Sequence, residues 1–194
     1  MACTALTKGR GLDCNRISGG VKYIYFGVYD TFTSPIDGTG ILVVDSEITD
    51  IEMGVTTGLY RYTVPRGSTT INESITGSVE NGTLFYTPTV NMVLNRLTKE
   101  DQNEIKLLGQ TQVVIFDQLI EQLAKGHDVI VGMGVVNAMS LNAGTADSGA
   151  AFGDRNGYTL TWDGLEANPF PMVADYTTNP FDNGAFTNVT ITTS

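Results

Sequence analysis

The chain has 194 residues, of which 41% are hydrophobic and 16% charged, and its formal net charge is −10. Charged residues make up roughly 25% of a typical soluble domain, so this composition is globular but poor in charge, and it excludes intrinsic disorder and collagen-like repeats. No apolar run approaches the roughly 18 residues that cross a bilayer, and the first residues lack the apolar core of a signal peptide. We therefore expect one soluble domain with terminal arms, made in a cytoplasm, with Cys3 and Cys14 reduced.

Charge is distributed unevenly along the chain. Residues 1–22 carry four basic residues and one acidic residue, a net +3, while the rest carries seven basic and twenty acidic residues, a net −13. An acidic body repels nucleic acid phosphates, so we expect no sequence-specific DNA or RNA binding. A basic arm can instead reach the acidic body of a neighbouring copy, and the candidate inter-subunit residues are Lys8, Arg10 and Arg16. The alternative is that the acidity only keeps the protein soluble.

Most of the chain has the pattern of β-strands. Residues 21–29 (VKYIYFGVY) alternate between aliphatic or phenylalanine side chains on one side and tyrosines on the other, which predicts a strand covered on both faces. Two shorter strands are predicted at 41–44 and 59–64. The segment between them lacks EF-hand spacing, so a solvated or repelling acidic surface is favoured over a calcium site. Its candidate acidic residues are Asp45, Glu47, Asp50 and Glu52.

Residues 68–97 are predicted to form one long β-hairpin. Asn81-Gly82 is a strong two-residue turn signal, and if Glu80 faces Thr83 the numbers of paired residues sum to 163. Both strands then place apolar residues on one face and hydroxyl or amide residues on the other. A hairpin of about 40 Å must span the subunit or pair with another chain. The polar face, which is either a lumen wall or an ordinary solvent-facing surface, contains Thr70, Asn72, Ser74, Thr76, Ser78, Thr87, Thr89 and Asn91.

One helix is predicted after the hairpin. Thr98 can cap its first turn, Asp101 takes the acidic position of a capping box, and Gly109 ends it. The remaining predictions are a core strand at 112–116, a segment at 117–125 that fits either a helix or a strand, strands at 128–136, 158–163 and 186–193, a small-residue loop from Ser140 to Gly157, and an extended C-terminal arm.

The sequence contains no recognisable catalytic, cofactor or metal motif. The only histidine, His127, accompanies no nucleophile motif. The run VIVGMGVVN begins like a dinucleotide fingerprint, but Asn137 occupies the third glycine position and no helix signal follows. The protein is therefore predicted not to be an enzyme and to use no cofactor.

Five segments occur in an order that resembles a known family. They are Gly19-Gly20 before the aromatic strand, the hairpin ENGTLFYTPTVNMVLNRL, the helix LTKEDQNEIKLL, the strand QVVIF, and GDRNGYTLTWDGLEANPF. In this order they resemble the tail tube proteins of tailed bacteriophages, over about residues 15–170 and most strongly at 80–108 and 153–169. The segment DQLIEQLAKG and the 25 residues after Pro169 depart from the pattern.

The resemblance implies a β-sandwich or barrel (21–167) with one flanking helix at about 98–108, an N-terminal arm (1–20) and a C-terminal extension (168–194). It further implies a virion protein that forms hexameric rings, contacts other tail proteins, and stacks into a tube for genome ejection. A lumen that conducts DNA must not bind it, which acidic and hydroxyl-rich walls achieve.

Two alternatives to a tail tube remain open from the sequence. One is a connector or ring protein in the tail of a short-tailed phage. The other is a carbohydrate-binding β-sandwich, which requires an exposed cluster of Tyr23, Tyr25, Tyr29 and Trp162.

Overall fold

The structure, a computed structural model, describes residues 9–10, 18–32, 40–123 and 126–193. Within these ranges the chain is mainly β, with two sheets and one α-helix, as the sequence predicts. The elements are β1 Val21–Val28, a 3-10 turn Tyr29–Thr31, β2 Ile41–Val44, β3 Glu47–Ile51, β4 Leu59–Thr63, β5 Thr70–Ser78, β6 Thr83–Asn95, α1 Lys99–Leu108, β7 Val113–Gln122, β8 Asp128–Met133, β9 Ser140–Asp147, β10 Gly157–Asp163, β11 Met172–Val173 and β12 Ile191–Thr192.

The two sheets pack against each other around the larger core. An eight-stranded sheet has the order β12-β4-β1-β7-β8-β11-β3-β2, and a four-stranded sheet has the order β5-β6-β10-β9. Side chains of β1, β7 and β8 meet those of β6 and β10 in a continuous apolar cluster. Trp162 of β10 is fully buried there, with its ring 5.0 Å from that of Phe26 in β1. Ile105 and Leu108 of α1, together with Leu97 just before the helix, pack against this cluster.

A second core lies on the opposite face of the eight-stranded sheet. It joins Tyr25 of β1 and Phe116 of β7 to apolar residues of β2, β3 and β4 and of the C-terminal segment. The ring of Phe181 lies 5.1 Å from that of Tyr25 and 5.2 Å from that of Phe116. The C-terminal segment is therefore part of the hydrophobic core, in addition to pairing β11 with β3 and β12 with β4.

The segment that fits either a helix or a strand forms a strand. β7 continues through Asp117 to Gln122, paired with β1 on one side and β8 on the other. Backbone pairing on both sides is a tertiary effect, and it outweighs the weak helical pattern of the sequence.

The predicted hairpin forms, but its register is shifted. The pairs Thr70 with Asn91 and Ser78 with Thr83 give sums of 161 where the sequence predicts 163. The turn is a four-residue loop over 79–82, in which only Gly82 has a positive φ, of 63°. A two-residue type I′ turn needs a positive φ at both central residues, so the predicted turn was wrong. A shift of two residues keeps every side chain on its predicted face.

The predicted loop from Ser140 to Gly157 is also corrected. Its first half is β9, which pairs with β10 from Ser140 to Asp147. The strand consists mostly of small residues with no apolar alternation, so the sequence gives no periodic signal for it.

The helix follows its prediction closely. The Thr98 hydroxyl accepts a hydrogen bond from the Asp101 backbone N–H at 3.0 Å and donates one to the Asp101 carboxylate at 2.6 Å. Gly109 is the residue that follows the last helical turn. With ten residues, α1 is too short to cross a membrane, and it is the only α-helix in the described ranges.

Candidate functional site

The eight predicted polar residues share one face of the four-stranded sheet. Cross-strand pairs place Thr70 beside Asn91, Asn72 beside Thr89, and Ser74 beside Thr87, while Thr76 and Ser78 continue the row on β5. β10 extends this face with Thr159 and Thr161, and the Thr161 hydroxyl donates to the Asn91 side-chain oxygen at 2.7 Å. The opposite face of the same sheet packs against the core through Val90, Met92, Leu94, Leu160 and Trp162.

This polar face has little capacity to bind an anion. The strands β5, β6, β9 and β10 contain no lysine, arginine or histidine and three acidic residues, Glu73, Asp147 and Asp163. A basic side chain reaches the β10 side of the face from the preceding loop, where the Arg155 guanidinium donates to the Thr159 hydroxyl at 2.7 Å. The hydroxyl and amide groups of β5 and β6 carry no charge that attracts a phosphate backbone. Away from Arg155, the face therefore offers a polyanion no charged partner.

Both edges of the four-stranded sheet are unpaired among the described residues. β5 pairs only with β6, and β9 pairs only with β10, so nine and eight residues respectively expose one side of their backbone. Neither edge contains proline or lysine, and the only charged residues are Glu73 and Asp147. Long edges without such protection are templates for pairing with another strand.

The distal half of the β5–β6 hairpin extends beyond the core. Ile75, Val79 and Leu84 there are 66%, 103% and 58% exposed, although all three belong to the apolar face of the hairpin or its loop. An ordered group of exposed aliphatic side chains is typical of an interaction surface.

The predicted acidic residues lie elsewhere. Asp45, Glu47, Asp50 and Glu52 lie in or next to β2 and β3, at one end of the eight-stranded sheet. The structure therefore places them on a different sheet from the polar face. Of the three arm residues, Arg10 is exposed, and Lys8 and Arg16 lie outside the described residues.

Two carboxylates line a small cleft of about 60 Å³ between β2, the end of β8 and the 166–171 segment. Glu73 accepts a hydrogen bond from the Phe170 backbone N–H at 2.8 Å, and Glu166 accepts from the backbone N–H groups of Val136 and Asn137 at 3.1 and 3.0 Å. Burial raises the pKa of each carboxyl above its ordinary value, although these backbone amides oppose the rise. The charge of Glu166 raises the pKa of Glu73 further.

A polar network lies at the opposite end of β8. Asp128 accepts hydrogen bonds from Lys22 and Gln118, both at 2.7 Å. Burial alone raises the pKa of Asp128, but these hydrogen bonds outweigh burial and hold the pKa below its ordinary value. His127 contacts the Asp175 carboxylate at 2.7 Å and stacks on Tyr176, with ring centroids 4.6 Å apart. This network ties the C-terminal segment to the sandwich.

Asp117 is fully buried between the sheets, and neither of its carboxylate oxygens has a hydrogen-bond partner among the residues that the structure describes. Burial raises its pKa to about 8. Within the described ranges, no group of three or more histidine, cysteine or acidic residues is arranged to hold a metal ion.

Sequence reasoning missed the part of the polar face that lies on β9 and β10. The alternation of Thr159 and Thr161 with Leu160 and Trp162 carried a usable signal for β10. β9 carried no such signal, because its small residues pair with β10 through backbone hydrogen bonds alone.

The chain was also compared with known proteins, by family, by sequence and by fold. No family model, no curated protein and no solved structure matches it.

Proposed function

We propose that this protein is a structural subunit that assembles with copies of itself into a ring, as the tail tube proteins of phages do, and that stacked rings form a DNA-conducting tube in a virion. The observation that carries this proposal is the pair of unpaired edges, β5 and β9, on opposite sides of one sheet. A contact from the β9 edge of one copy to the β5 edge of the next is head-to-tail, and such contacts generate rings when the rotation closes.

The strand directions are compatible with this contact. Neighbouring strands of the four-stranded sheet are all antiparallel, so β5 and β9, three positions apart, run in opposite directions. Rotation about a ring axis preserves the direction of each strand, and β9 of one copy would therefore pair antiparallel with β5 of the next. Closure would leave no exposed edge in the resulting barrel.

The same geometry supports one choice of which face of the four-stranded sheet would turn inwards. The eight-stranded sheet and both cores lie on one face of the four-stranded sheet. Because the interior of a closed barrel has no room for a second sheet, this face would lie on the outside of the barrel. The polar face with Thr70, Ser74, Thr87 and Thr161 would then line the interior, where its β5 and β6 strands offer DNA no cationic contact.

The first test is the assembly state of the purified full chain. We expect rings or tubes by negative-stain electron microscopy and a matching oligomer by sedimentation, with the subunit number read from the rings. A chain that stays monomeric at high concentration contradicts the proposal.

Proline substitutions in β9 test the edge contact itself. Consecutive backbone N–H groups of a strand point to opposite sides. Of the two variants Thr145→Pro and Ala146→Pro, one therefore loses a hydrogen bond to β10, and the other loses an N–H group on the unpaired edge. We expect one of the two variants to remain folded by circular dichroism and to fail to form rings. If the folded variant assembles as well as the wild type, the β9 edge is not the contact.

A ring or connector protein in a short-tailed phage is an alternative that uses the same edges, and ring formation without stacking would favour it.

The carbohydrate-binding alternative loses the exposed aromatic cluster that it requires. Tyr25 and Trp162 are fully buried, in the two separate cores on opposite faces of the eight-stranded sheet, and do not form an exposed aromatic platform.

A further inference from the structure

The cleft that contains Glu73 and Glu166 has the chemistry of a receptor for a basic side chain. The hydrogen bonds of both carboxylates use Oε1, which leaves Oε2 of each without a partner among the described residues. Glu166 is only 7% exposed and lines the cleft. The remaining lining is mostly apolar and contains no basic residue: Val43, Pro88, Met133, Val135, Phe170 and Pro171.

Lysine and arginine fit such a lining well. Their aliphatic stems pack along apolar walls while the charged group donates hydrogen bonds to carboxylate oxygens. A neutral or acidic ligand would leave two neighbouring carboxylates uncompensated. The occupant is therefore expected to be cationic.

The chain itself contains a segment of the complementary charge. Residues 1–20 include Lys8, Arg10 and Arg16 against one acidic residue, in a protein whose net charge is otherwise strongly negative. We propose that the cleft between Glu73 and Glu166 receives the N-terminal arm, residues 1–20, of a second copy of this chain.

The arm is long enough to reach the cleft of a second copy, because the twelve residues from Lys8 to Gly20 can span about 40 Å. Gly20 accepts a backbone hydrogen bond from Ile120, so the arm joins the sandwich beside the end of β7, where Gln122 pairs with the first residue of β8. The cleft lies past the last residue of β8, Met133. The two places are separated by the length of β8, about 20 Å for six residues. A copy displaced along the strand direction brings its cleft towards the arm of its neighbour.

This inference rests on the proposed self-assembly and names the contact between stacked copies. Its test uses the full chain, mixed in equal amounts with and without 15N label, allowed to assemble, and treated with a carbodiimide that couples amines to carboxylates. We expect peptides that join Lys8 to Glu73 or Glu166, with half of the cross-links joining a labelled to an unlabelled chain.

Each outcome bears on a different statement. Rings that stack but contain no cross-link of Lys8 to either glutamate, or only cross-links within one chain, overturn this inference and leave the ring proposal standing. A chain that stays monomeric by sedimentation overturns both.

A matched pair of variants measures the effect of the two charges. Glu73→Gln with Glu166→Gln keeps the side-chain oxygens that accept from the backbone, and we expect rings to form normally but stacking to require roughly tenfold more protein, the effect of losing charge-assisted hydrogen bonds. The control, Glu100→Gln with Glu104→Gln on α1, changes the net charge equally and should stack as the wild type does. Equal stacking by both double variants contradicts the proposed contact.

Discussion

At the scale of single residues, Asp117 is the group with the strongest influence on how stability depends on pH. Its side chain lies on the face of β7 shared by Val113 and Ile115, which packs against the four-stranded sheet. With its pKa raised to about 8 by burial, the carboxyl is protonated in the folded protein at neutral pH. The unfolded chain, with an ordinary carboxyl, is ionised there.

Asp117→Asn should therefore remove a pH dependence of stability. Between the unfolded pKa of 3.8 and the folded pKa of about 8, the folded state binds one more proton than the unfolded state. The free energy of unfolding then falls as pH rises through this window, by at most about 1.4 kcal/mol per pH unit, and levels off above it. We expect denaturant titrations of the wild type to show this slope between pH 5 and 8 and those of the variant to lack it.

Asp30 provides the control for this measurement. It is exposed, so Asp30→Asn makes the same substitution without changing a buried group. Its slope should match that of the wild type. If Asp117→Asn shows the same slope as the wild type, other titratable groups cause the pH dependence of stability.

At the scale of elements, the helix cap is the clearest local determinant. Thr98→Ala removes the hydroxyl that accepts from the Asp101 N–H, and we expect a loss of about 1 kcal/mol in the free energy of unfolding, measured by chemical denaturation at pH 7. Thr98→Ser keeps the hydroxyl and should lose much less. Equal losses in both variants would show that the threonine methyl group, and not the cap, stabilises this turn.

Elements governed by local pattern could be predicted from the sequence. The alternation in β1 correctly placed Ile24 and Phe26 in one core and Tyr25 in the other, and Thr98 and Gly109 correctly marked the ends of α1. The eight polar residues of the candidate lumen face were correctly grouped because a two-residue shift in register preserves the face of each side chain.

Elements governed by long-range contacts could not be predicted from the sequence. β9 is held by backbone pairing to β10, which leaves no trace in side-chain pattern. The insertion of Phe181 between Tyr25 and Phe116 joins positions far apart in sequence. The separation of the acidic residues of β2 and β3 from the polar face depends on which sheet each strand joins, and strand order is not a local property.

At the scale of the whole molecule, the polar face makes a prediction about DNA. Thr70→Lys, Ser74→Lys and Thr87→Lys, combined, should leave subunit folding intact and cause assembled tubes to retain or stall DNA, because each lysine gains phosphate contacts by releasing counterions. The measurement is salt-dependent retention of DNA by purified tubes.

Three lysines on the helix side serve as the control. Gln102, Asn103 and Gln110 are exposed in or just after α1, which lies on the outer side in the proposed ring. Substituting them with lysine adds the same charge and should leave DNA passage unchanged. The assignment of the lumen fails if the sheet-face variant assembles and passes DNA at the normal rate, or if the helix-side variant stalls DNA equally.

The dependence of the second core on Phe181 and β12 also sets an order of events during synthesis. Ribosomes make the chain from its N-terminus, so β1 and β7 emerge well before the segment that covers Tyr25 and Phe116. One face of the eight-stranded sheet stays uncovered until that segment has appeared. The chain thus completes its fold late, after both edge strands of the four-stranded sheet, β5 and β9, have been made.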